Sequence, residues 1–554
     1  MDLSSSFHLY LITPCTHDLS HQPSLEISSL FPMMELKTRL ESPIMSSLAT
    51  YGAFGLVACI LINACRQLFF RRKSEPPAVF HWVPYVGNAM SYGMDPVAFF
   101  ERYRAKYGDI FTFTLFGRKM TCYLGLEGNE FILNGKLQDI NTEEIYGPLT
   151  IPVFGSDVVY DCPNSKLMEQ KKFVKFGLTQ QALESHVPLI EKEVVDYIKM
   201  NPAWKGSSGT VDISGAMSEI TLFTAARSLQ GKEVRQKLTA DFAKLYHDLD
   251  MGFTPLNFLF PWLPLPRNYR RDAAHAKMRA VYMDIINQRR KDGLKSDAEY
   301  DMIWNLLNSS YKDGTPVPDK EVAHMMITLL MGGQHSSSSA SAWIMLRLAA
   351  HPNIAEELFE EQVQNLGQGD KGPLPPLQYS DLDKLPLLRN VVKETLRLHG
   401  SIHSILRKVK KPLPIPGTPY VVDTDKVLLA SPMVTAASDE FFPDAKSWNP
   451  HRWDEPQQGD DTVNDAADLV DYGYGVVSKG TKSPYIPFGA GRHRCIGEKF
   501  AYLNLGVIVT TIVRNFKLHT MDGKDGVVPP TDNTSMFARP PQPSFIRWTR
   551  RDSN

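Results

Sequence analysis

The feature that most constrains this chain is a glycine-rich segment, residues 488–497, which leads into a cysteine and then into a stretch with helical patterning. At the start of a predicted helix, the thiolate of Cys495 is favoured by the positive end of the helix dipole and by free backbone N–H groups. Gly491 and Gly497 permit the backbone to approach a flat cofactor closely. Positive charge beside the sulfur comes from Arg492, His493 and Arg494.

A thiolate in such a loop is a strong axial ligand for iron. Residues 488–497 therefore predict a site for a flat, acidic cofactor that contains iron. A buried structural cysteine and a redox-active thiol are the alternatives.

Composition places the chain among large globular proteins and excludes several functions. Its 554 residues are 43% hydrophobic and 22% charged, with a formal net charge of −1, which suits one large catalytic domain. A nearly neutral chain does not predict a nucleic-acid partner. The six cysteines form no C-x-x-C pair. Neither a structural zinc site nor a disulfide framework is therefore expected, and the catalytic region is predicted to lie in a reducing compartment.

One segment near the N-terminus is apolar enough to enter a membrane. Residues 48–65 carry no charge, and with the residues up to 70 they reach the roughly 20 residues that span a bilayer. We predict a transmembrane anchor at 46–70 and a basic, proline-containing hinge at 71–79, and we assign no fold to 1–45. The basic residues after the anchor predict a cytosolic main domain. A cleaved signal peptide and a buried core helix are the alternatives.

The pattern after the hinge predicts a mainly α domain with a small β region at residues 80–550. A β-hairpin is expected at 110–124, because two alternating segments flank a turn at Gly117 and Arg118. The segment 253–266 is dense in Phe, Trp, Leu and Pro and too interrupted for a helix. It is interpreted as the lip of a channel, a loop that enters the membrane, or an irregular part of the core.

Helices account for most of the rest of the domain. Residues 166–249 have mostly helical patterning, and a long helix is predicted from Asp319, its N-cap, to Ala350. The other predicted elements are a helix at 387–398, an acidic and glycine-rich surface insertion at 456–482, and a final helix from near Cys495 to near Val513.

Residues 488–497 match the pattern F-x-x-G-x-[RH]-x-C-x-G, and on this segment the chain resembles the cytochrome P-450 superfamily. The resemblance implies the cytochrome P-450 fold and a haem b group whose iron is ligated by Cys495. A further mark of the family is an E-x-x-R pair on one helix face, here Glu394 and Arg397, joined by a downstream arginine, here Arg452. The resemblance implies that these three residues support the haem site structurally.

The long predicted helix contains two glycines and a run of serines at residues 332–337. These residues cost helix stability and favour a local kink, which beside a haem makes room for O₂ and ordered water. A tolerated weak point in a buried helix is the alternative. Most of the superfamily has an acid where this chain has His335, and a histidine there is typical of the sterol 14α-demethylases.

The resemblance to fungal lanosterol 14α-demethylases extends over most of the chain, and it implies three successive oxygenations. These remove the 14α-methyl group of lanosterol or eburicol as formate in ergosterol biosynthesis. Ser336 departs from the threonine that the family usually has, and residues 423–426 lack its common Pro-x-Gly turn. The matching motifs lie at 146–150, 152–155, 158–163, 167–173, 403–409 and 535–536.

The resemblance also implies a role for each matching residue. His335 and Ser336 are expected to organise the proton path. The expected haem-binding residues, with Cys495 as the iron ligand, are Tyr146, Tyr160, Lys171, Arg407, Phe488, Gly491, His493 and Cys495. The expected substrate-binding residues are Tyr146, Leu149, Thr150, Phe154, Phe253, Pro255, Phe258, Gly332, His335, Ser336, His403, Ser404, Ile405, Met536 and Phe537.

Partners and location follow from the same resemblance. No flavin or NADPH-binding domain is recognised in the chain, so electrons from NADPH are expected through a separate NADPH-cytochrome P-450 reductase. O₂ is the expected cosubstrate, azoles are expected inhibitors, and the expected location is the endoplasmic reticulum membrane, single-pass, with a cytosolic catalytic domain. Another membrane-bound P-450 monooxygenase and a non-catalytic haem- or sterol-binding protein are the alternatives.

Overall fold

The computed structural model describes residues 43–238, 240–293, 301–367, 374–455 and 468–551, and the chain divides into two compact units, 1–63 and 64–554. In the first unit, the described residues belong to helix α1, Pro43–Phe69, which continues past the boundary. Its segment Thr50–Phe69 is long and apolar enough to cross a membrane, and it lies within the predicted anchor. The unassigned segment 1–45 is mostly outside the described residues.

Helices predominate in the second unit, and its short strands form small sheets, which confirms the predicted fold class. The helices are α2 (Ala89–Met94), α3 (Pro96–Tyr107), α4 (Gly125–Leu133), α5 (Glu143–Phe154), α6 (Asn164–Phe176), α7 (Gln180–Met200), α8 (Ile213–Ala225), α9 (Lys232–Lys237), α10 (Ala240–Asp250), α11 (Pro255–Leu259), α12 (Pro266–Asp292), α13 (Met302–Leu307), α14 (Asp319–Ala350), α15 (Pro352–Leu366), α16 (Pro386–Leu398), α17 (Pro432–Ala436) and α18 (Glu498–Asn515).

The strands are β1 (Ile110–Leu115), β2 (Arg118–Tyr123), β3 (Ile140–Asn141), β4 (Ser208–Asp212), β5 (Ile405–Val409), β6 (Leu413–Pro414), β7 (Val421–Val422), β8 (Lys426–Ala430), β9 (Leu469–Asp471), β10 (Val476–Ser478), β11 (Phe516–His519) and β12 (Phe545–Arg550).

The five-stranded sheet joins distant parts of the chain. Strands β1 and β2 form the predicted hairpin, in which Ile110 pairs with Tyr123 and Leu115 with Arg118. Strand β8 runs parallel to β2 and antiparallel to β5, and the full order is β1-β2-β8-β5-β3. This order places β5, which carries the predicted site residues Ile405 and Arg407, in the interior of the sheet.

Helix α14 is the buried centre of the second unit. It ends at Ala350, just before Pro352, which disfavours a helical conformation in the residue that precedes it. Met326 and Ile344 are fully buried, and they belong to two different hydrophobic clusters. Helices α8, α12 and α18 pack against α14. The segment 332–337 therefore lies where these two clusters meet.

The predicted helix 319–350 is confirmed, but two details at helix starts differ from the prediction. Asp319 is the first residue of α14 rather than its N-cap, because Pro318 before it has extended backbone. The last helix, α18, starts at Glu498 and not near Cys495. The N–H of Cys495 donates to the carbonyl of Phe488 at 2.9 Å, and this bond holds the cysteine in the loop before the helix.

Two segments contain elements that their local patterns do not predict. Strand β4 interrupts the predicted helical stretch 166–249, because it pairs with the C-terminal strand β12. Helix α11 forms within 253–266, where a helix was not expected. The Thr254 hydroxyl accepts the N–H of Asn257 at 3.2 Å, and Pro255 occupies the first helical position. In both cases, the structure depends on contacts that the hydrophobic periodicity of the segment does not reveal.

Part of the predicted surface insertion at 456–482 packs into the domain. Residues 456–467 lie outside the described residues. The remainder contains the antiparallel pair β9 and β10, with Tyr474 4% exposed and Thr481 fully buried. Tyr474 packs against Leu167 and Met168 of α6. These two side chains are therefore not on the surface, because Tyr474 packs against α6 and the hydroxyl of Thr481 donates to the carboxylate of Glu130 in α4.

Candidate active site

A cavity of about 780 Å³ opens between α5, α14, β5 and the segment 488–497, which we call the Cys495 loop. The wall includes most of the residues expected to bind a cofactor or substrate: Tyr146, Leu149, Thr150, Phe154, Tyr160, Lys171, Phe253, Pro255, Phe258, Gly332, Ser336, His403, Ser404, Ile405, Arg407, Phe488, His493, Cys495, Met536 and Phe537. Two expected site residues, His335 and Gly491, do not line it.

The Cys495 loop presents a thiol to the cavity. Its backbone turns at Gly489 and Gly491, whose φ angles of 70° and 67° suit glycine. Burial raises the pKa of the Cys495 thiol, and the hydrogen bond from the N–H of Gly497 partly offsets this effect. The expected backbone N–H and nearby positive charges do favour the thiolate, but burial outweighs them, and α18 begins only at Glu498. A bound metal ion deprotonates such a thiol on coordination.

Gly491 is needed for packing against α4. A Cβ atom at this position would lie 2.3 Å from the carbonyl oxygen of Leu133, at the end of α4. The glycine therefore lets the Cys495 loop lie directly against α4. Gly491 does not line the cavity, and its expected contact with a cofactor stays a prediction.

Two phenols and a buried guanidinium meet at one side of the cavity. The rings of Tyr146 and Tyr160 stack with their centroids 5.5 Å apart. The phenol oxygen of Tyr146 accepts the N–H of Leu406 at 3.0 Å, which fixes it against β5. Arg407 is 4% exposed, and desolvation lowers the pKa of its guanidinium, partly offset by the nearby phenols. Within the described residues, no carboxylate forms an ion pair with Arg407.

His493 completes this group of donors. Its Nε2 lies 3.2 Å from the hydroxyl of Thr142, and its ring lies 6.2 Å from that of Tyr160. Burial first, and then the positive charges of Arg407 and Lys171, hold the pKa of His493 well below its usual value. The group as a whole offers cationic, imidazole and phenolic donors, which suit the acid groups of a haem.

Lys171 links helix α6 to the Cys495 loop. Its Nζ donates to the carbonyl oxygens of Arg492 and Arg494, both at 2.8 Å, and it lies over the ring of Tyr474 at 4.3 Å. Burial lowers the pKa of Lys171 to about 8. The side chain therefore braces the loop that carries the thiol and also reaches the cavity wall.

The glycine and serine segment of α14 forms the opposite side of the cavity. The helix is unbroken across 332–337, so the expected kink does not interrupt it. The Ser336 hydroxyl donates to the carbonyl of Gly333 at 3.3 Å and remains exposed to the cavity. A Cβ atom on Gly332 or Gly333 would meet nothing within 4 Å. These residues leave open space in front of the helix.

His335 does not line the cavity itself, and two partners hold its ring. Its Nε2 is hydrogen-bonded to the carboxylate of Asp250 at the end of α10, and its ring stacks on that of Phe537. Asp250 was missed at the sequence level, because nothing near it in sequence marks it as a partner of a residue in α14.

One polar cluster interrupts the largely apolar wall near β5. His403 Nδ1 lies 2.8 Å from the hydroxyl of Ser404, which lies 3.1 Å from that of Tyr92. Burial lowers the pKa of His403 to about 4, so this imidazole is neutral. Tyr92 was not expected here, since α2 gives no sequence signal that it contacts the cavity. The cluster can hydrogen-bond one polar group of an otherwise apolar ligand.

Glu394, Arg397 and Arg452 form a buried charge cluster apart from the cavity chemistry. Arg397 donates to Glu394 from Nε at 2.9 Å and from Nη2 at 2.8 Å, and neither side chain is exposed. Arg452 Nε donates to the same carboxylate at 3.0 Å, as do the indole of Trp453 and the N–H of Asn449. Burial raises the pKa of Glu394, but the hydrogen bonds from Arg397 and Asn449 and the charges of Arg397 and Arg452 together hold it below its usual value.

A mainly α domain with a cysteine loop facing a large cavity defines the class of this protein. The family model described as Cytochrome P450 matches residues 77–548, and the chain belongs to the cytochrome P450 family. Membership implies a monooxygenase with a haem cofactor, a substrate and a redox partner.

Fungal relatives of high identity are named as demethylases. The sterol 14-alpha demethylase CYP51A of Gibberella zeae is 68% identical, over 90% of this chain and 97% of its own length. The sterol 14-alpha demethylase cyp51A of Aspergillus fumigatus is 66% identical, over 92% and 98%. The eburicol 14-alpha-demethylase of Penicillium italicum is 59% identical, over 91% and 96%.

A solved structure supports the fold. Retinoic acid bound cyanobacterial CYP120A1 matches with a TM-score of 0.69 at 19% sequence identity, covering 87% of this chain and 100% of that chain. At this identity the likeness concerns the fold alone.

Proposed function

We propose that this protein is a sterol 14α-demethylase whose haem iron is ligated by Cys495. The observation that carries the proposal is the position of the Cys495 thiol in the wall of a single cavity, together with the cationic and phenolic donors described above. The names of relatives at 56–68% identity over most of the chain support the sterol as substrate.

The donor set fits a haem. Arg407 and Lys171 carry positive charge, and the neutral imidazole of His493 and the phenols of Tyr146 and Tyr160 can donate hydrogen bonds. Two propionates would therefore find partners on this side. Phe488 offers an apolar ring to the porphyrin. Arg407 has a lowered pKa because its charge is desolvated, and an anionic group beside it would relieve that cost.

The rest of the cavity fits a rigid, apolar molecule with one polar end. Phe154, Phe253 and Phe258 supply aromatic surface, Met536 adds a flexible apolar contact, and the cluster of Tyr92, His403 and Ser404 supplies hydroxyl and imidazole groups. We assign the sterol body to the apolar surface. Lanosterol and eburicol are the proposed substrates. Some relatives are named as sterol 14-alpha demethylases, and others as eburicol 14-alpha-demethylases.

The bound haem would supply the activation of O₂ for three oxygenations that convert the 14α-methyl group through an alcohol and an aldehyde to formate. Residues of α14 would transfer protons on the side of the cavity that this helix forms. The hydroxyl of Ser336 faces the cavity and can pass a proton, while His335, oriented by Asp250, can exchange one behind it. The apolar wall would exclude bulk water.

Electrons would come from NADPH through a separate NADPH-cytochrome P450 reductase. Helix α1 supports a membrane-bound protein, and we propose the endoplasmic reticulum membrane with the catalytic domain in the cytosol. Azoles would inhibit by ligating the haem iron. No nucleic-acid partner is proposed.

The first test is a titration of the purified ferric protein with lanosterol and with eburicol, followed in the Soret band. Displacement of the iron-bound water by sterol should shift the band toward the high-spin form. Turnover with reductase and NADPH should then release formate from the same sterol. A haem protein that binds either sterol but releases no formate would overturn demethylation in favour of a non-catalytic sterol-binding protein.

The matched control is Cys495→Ala. This variant should lose the absorption typical of a thiolate-ligated haem and all formate release, because no other cysteine lines the cavity among the described residues. An unchanged spectrum would overturn the assignment of Cys495 as the iron ligand.

A further inference from the structure

The segment 155–162, between α5 and α6, has strained backbone beside the cofactor site. Asp157 and Val159 have φ angles of 69° and 53°. A β-branched residue rarely adopts a positive φ, because its Cβ atom approaches the backbone too closely. Such a conformation persists only where surrounding contacts enforce it. The next residue is Tyr160, one of the two phenols at the cavity.

Gln170 in α6 supplies the enforcing contacts. Its Oε1 accepts the N–H of Val159 at 3.2 Å, and its Nε2 donates to the carbonyl of Asp157 at 2.9 Å. One amide therefore ties down both residues with positive φ. Gln170 is 4% exposed, so removing it would leave these backbone groups without partners away from solvent.

A second layer of bonds fixes the amide itself. Its Nε2 also donates to the hydroxyl of Tyr311 at 3.2 Å. That hydroxyl donates to the carboxylate of Glu321 in α14, which also accepts from Nζ of Lys166 at 2.8 Å. Because Tyr311 and the carbonyl of Asp157 accept on one side and the N–H of Val159 donates on the other, only one orientation of the amide satisfies all its partners.

The position of Gln170 connects this strain to the cofactor site. Lys171, the next residue, donates to the Cys495 loop, and Tyr160 stacks on Tyr146 and lies beside His493. Two consecutive residues of α6 thus fasten the thiol loop and the segment that carries a phenol. Val159 is half-buried against the core, so a change in its backbone would displace the ring that follows.

We infer that Gln170 is a positioning residue for haem binding, which acts through the backbone of Val159 to hold the phenol of Tyr160 toward the cofactor. The inference rests on the proposed function, because the phenol needs a haem carboxylate as its partner. Without Gln170, Val159 relaxes toward a negative φ, and Tyr160 leaves its place against Tyr146.

The test is the rate of haem loss from the full-length ferric protein into excess apomyoglobin, which takes up released haem. Gln170→Met keeps the length of the side chain but removes every hydrogen bond of the amide, including the one that Oε1 accepts from the thiol of Cys162 at 3.8 Å. We expect haem loss to become about tenfold faster, the size of effect given by one or two lost buried hydrogen bonds. Gln170→Glu, which cannot donate to the carbonyl of Asp157, should also lose haem faster and serves if Gln170→Met does not fold.

Two double variants separate positioning from general support. In a Tyr160→Phe background, Gln170→Met should accelerate haem loss by less than about twofold further, because the hydroxyl that it positions is already gone. In a Val159→Gly background, the effect of Gln170→Met should also shrink, since glycine adopts a positive φ without strain. Fully additive effects in both backgrounds would overturn the inference.

Val187→Ala is the matched control. Val187 is fully buried in α7 and outside the cavity wall, so its truncation should lower the thermal midpoint without changing haem loss. If Gln170→Met loses haem at the wild-type rate, the inference fails while the proposed function stands. If the wild-type protein takes up no haem at all, the proposed function fails and this inference with it.

Discussion

The imidazole of His335 stacks on the ring of Phe537, with ring centroids 4.6 Å apart and planes 12° apart. The ring of Phe253 meets the same imidazole nearly at a right angle, 6.2 Å away. Nε2 is bonded to the carboxylate of Asp250. These three contacts fix the orientation of the imidazole, whose residue precedes Ser336 in α14. An imidazole held in this way can serve a proton path that reaches the cavity through the serine hydroxyl.

Asp250→Asn should slow demethylation without weakening sterol binding. The amide cannot offer the negative charge that orients and stabilises a protonated His335, so formate release should fall about ten- to hundredfold. The Soret change with lanosterol should be retained, because Asp250 does not line the cavity. The measurement is the formate released per haem with saturating reductase and NADPH.

Asp248→Asn, on the same helix, is the control for that variant and should keep normal turnover. Equal losses in the two variants would contradict a specific role for Asp250. A loss confined to sterol affinity would instead assign Asp250 to the shape of the cavity.

Glu394→Ala should destabilise the protein strongly. The substitution leaves the guanidinium groups of Arg397 and Arg452 without their carboxylate in a site that is almost fully buried. Removing one partner of a buried ion pair costs about 3–5 kcal/mol, so we expect the free energy of unfolding to fall by that amount in denaturant titrations. Asp196→Ala, which breaks the exposed pair with Lys192, should change it by less than about 1 kcal/mol. Similar effects of both substitutions would contradict this account.

Gly491→Ala should destabilise the Cys495 loop. The new Cβ atom would lie 2.3 Å from the carbonyl oxygen of Leu133, and the φ of 67° is unfavourable for alanine. Strain and steric overlap together should lower the free energy of unfolding by about 2–4 kcal/mol. Gly417→Ala has a similar φ of 72° but nothing within 4 Å, so it should cost only about 1–2 kcal/mol. Equal costs would mean that the loop can move away from α4.

Acid should destabilise the protein through histidines that are buried in the neutral form. Burial lowers the pKa of His186, His275 and His403 from 6.5 to about 4. A base with a lower pKa in the folded than in the unfolded state binds fewer protons when folded. Its contribution to the free energy of unfolding therefore falls as the pH decreases from 6.5 to 4. The thermal midpoint should drop steeply across this window.

His186→Leu should make that drop shallower. Neither ring nitrogen of His186 has a hydrogen-bond partner in the described structure, so leucine removes the proton-binding site at little cost. The slope of the free energy of unfolding should decrease by at most about 1.4 kcal/mol per pH unit. His451 is the control of opposite sign, because Asp454 and Glu357 raise the pKa of this exposed imidazole. Below pH 6.5, His451→Asn should therefore be less stable than the wild-type protein. If the free energy of unfolding depended on pH identically in both variants, the opposite roles of the two histidines would be contradicted.

Much of the architecture could be predicted because its signals are local. The helix at 319–350 has one apolar pattern and a proline two residues after its end, and the hairpin at 110–124 has alternation around a turn. Strand β4 could not be predicted, since its partner β12 lies near the other end of the chain. The helix of Pro255–Leu259 depends on a cap from Thr254 within a stretch without helical periodicity.

The candidate site divides in the same way. The sequence by itself determined which residue types are available: a cysteine in a glycine-rich loop, an E-x-x-R pair, and a histidine and serine in the middle of a long helix. Each of these motifs is a short continuous segment, so the spacing of its residues alone indicates which side chains lie close to one another.

Only the tertiary structure decided how those residues are used. Packing raised the pKa of Cys495 through desolvation, turned His335 toward Asp250, and set Gly491 against Leu133. It also placed the amide of Gln170 on the strained backbone of Val159. Each of these contacts joins elements that are distant in sequence or depends on burial. Burial and non-local contact are properties of the packed chain, and short sequence patterns do not encode them.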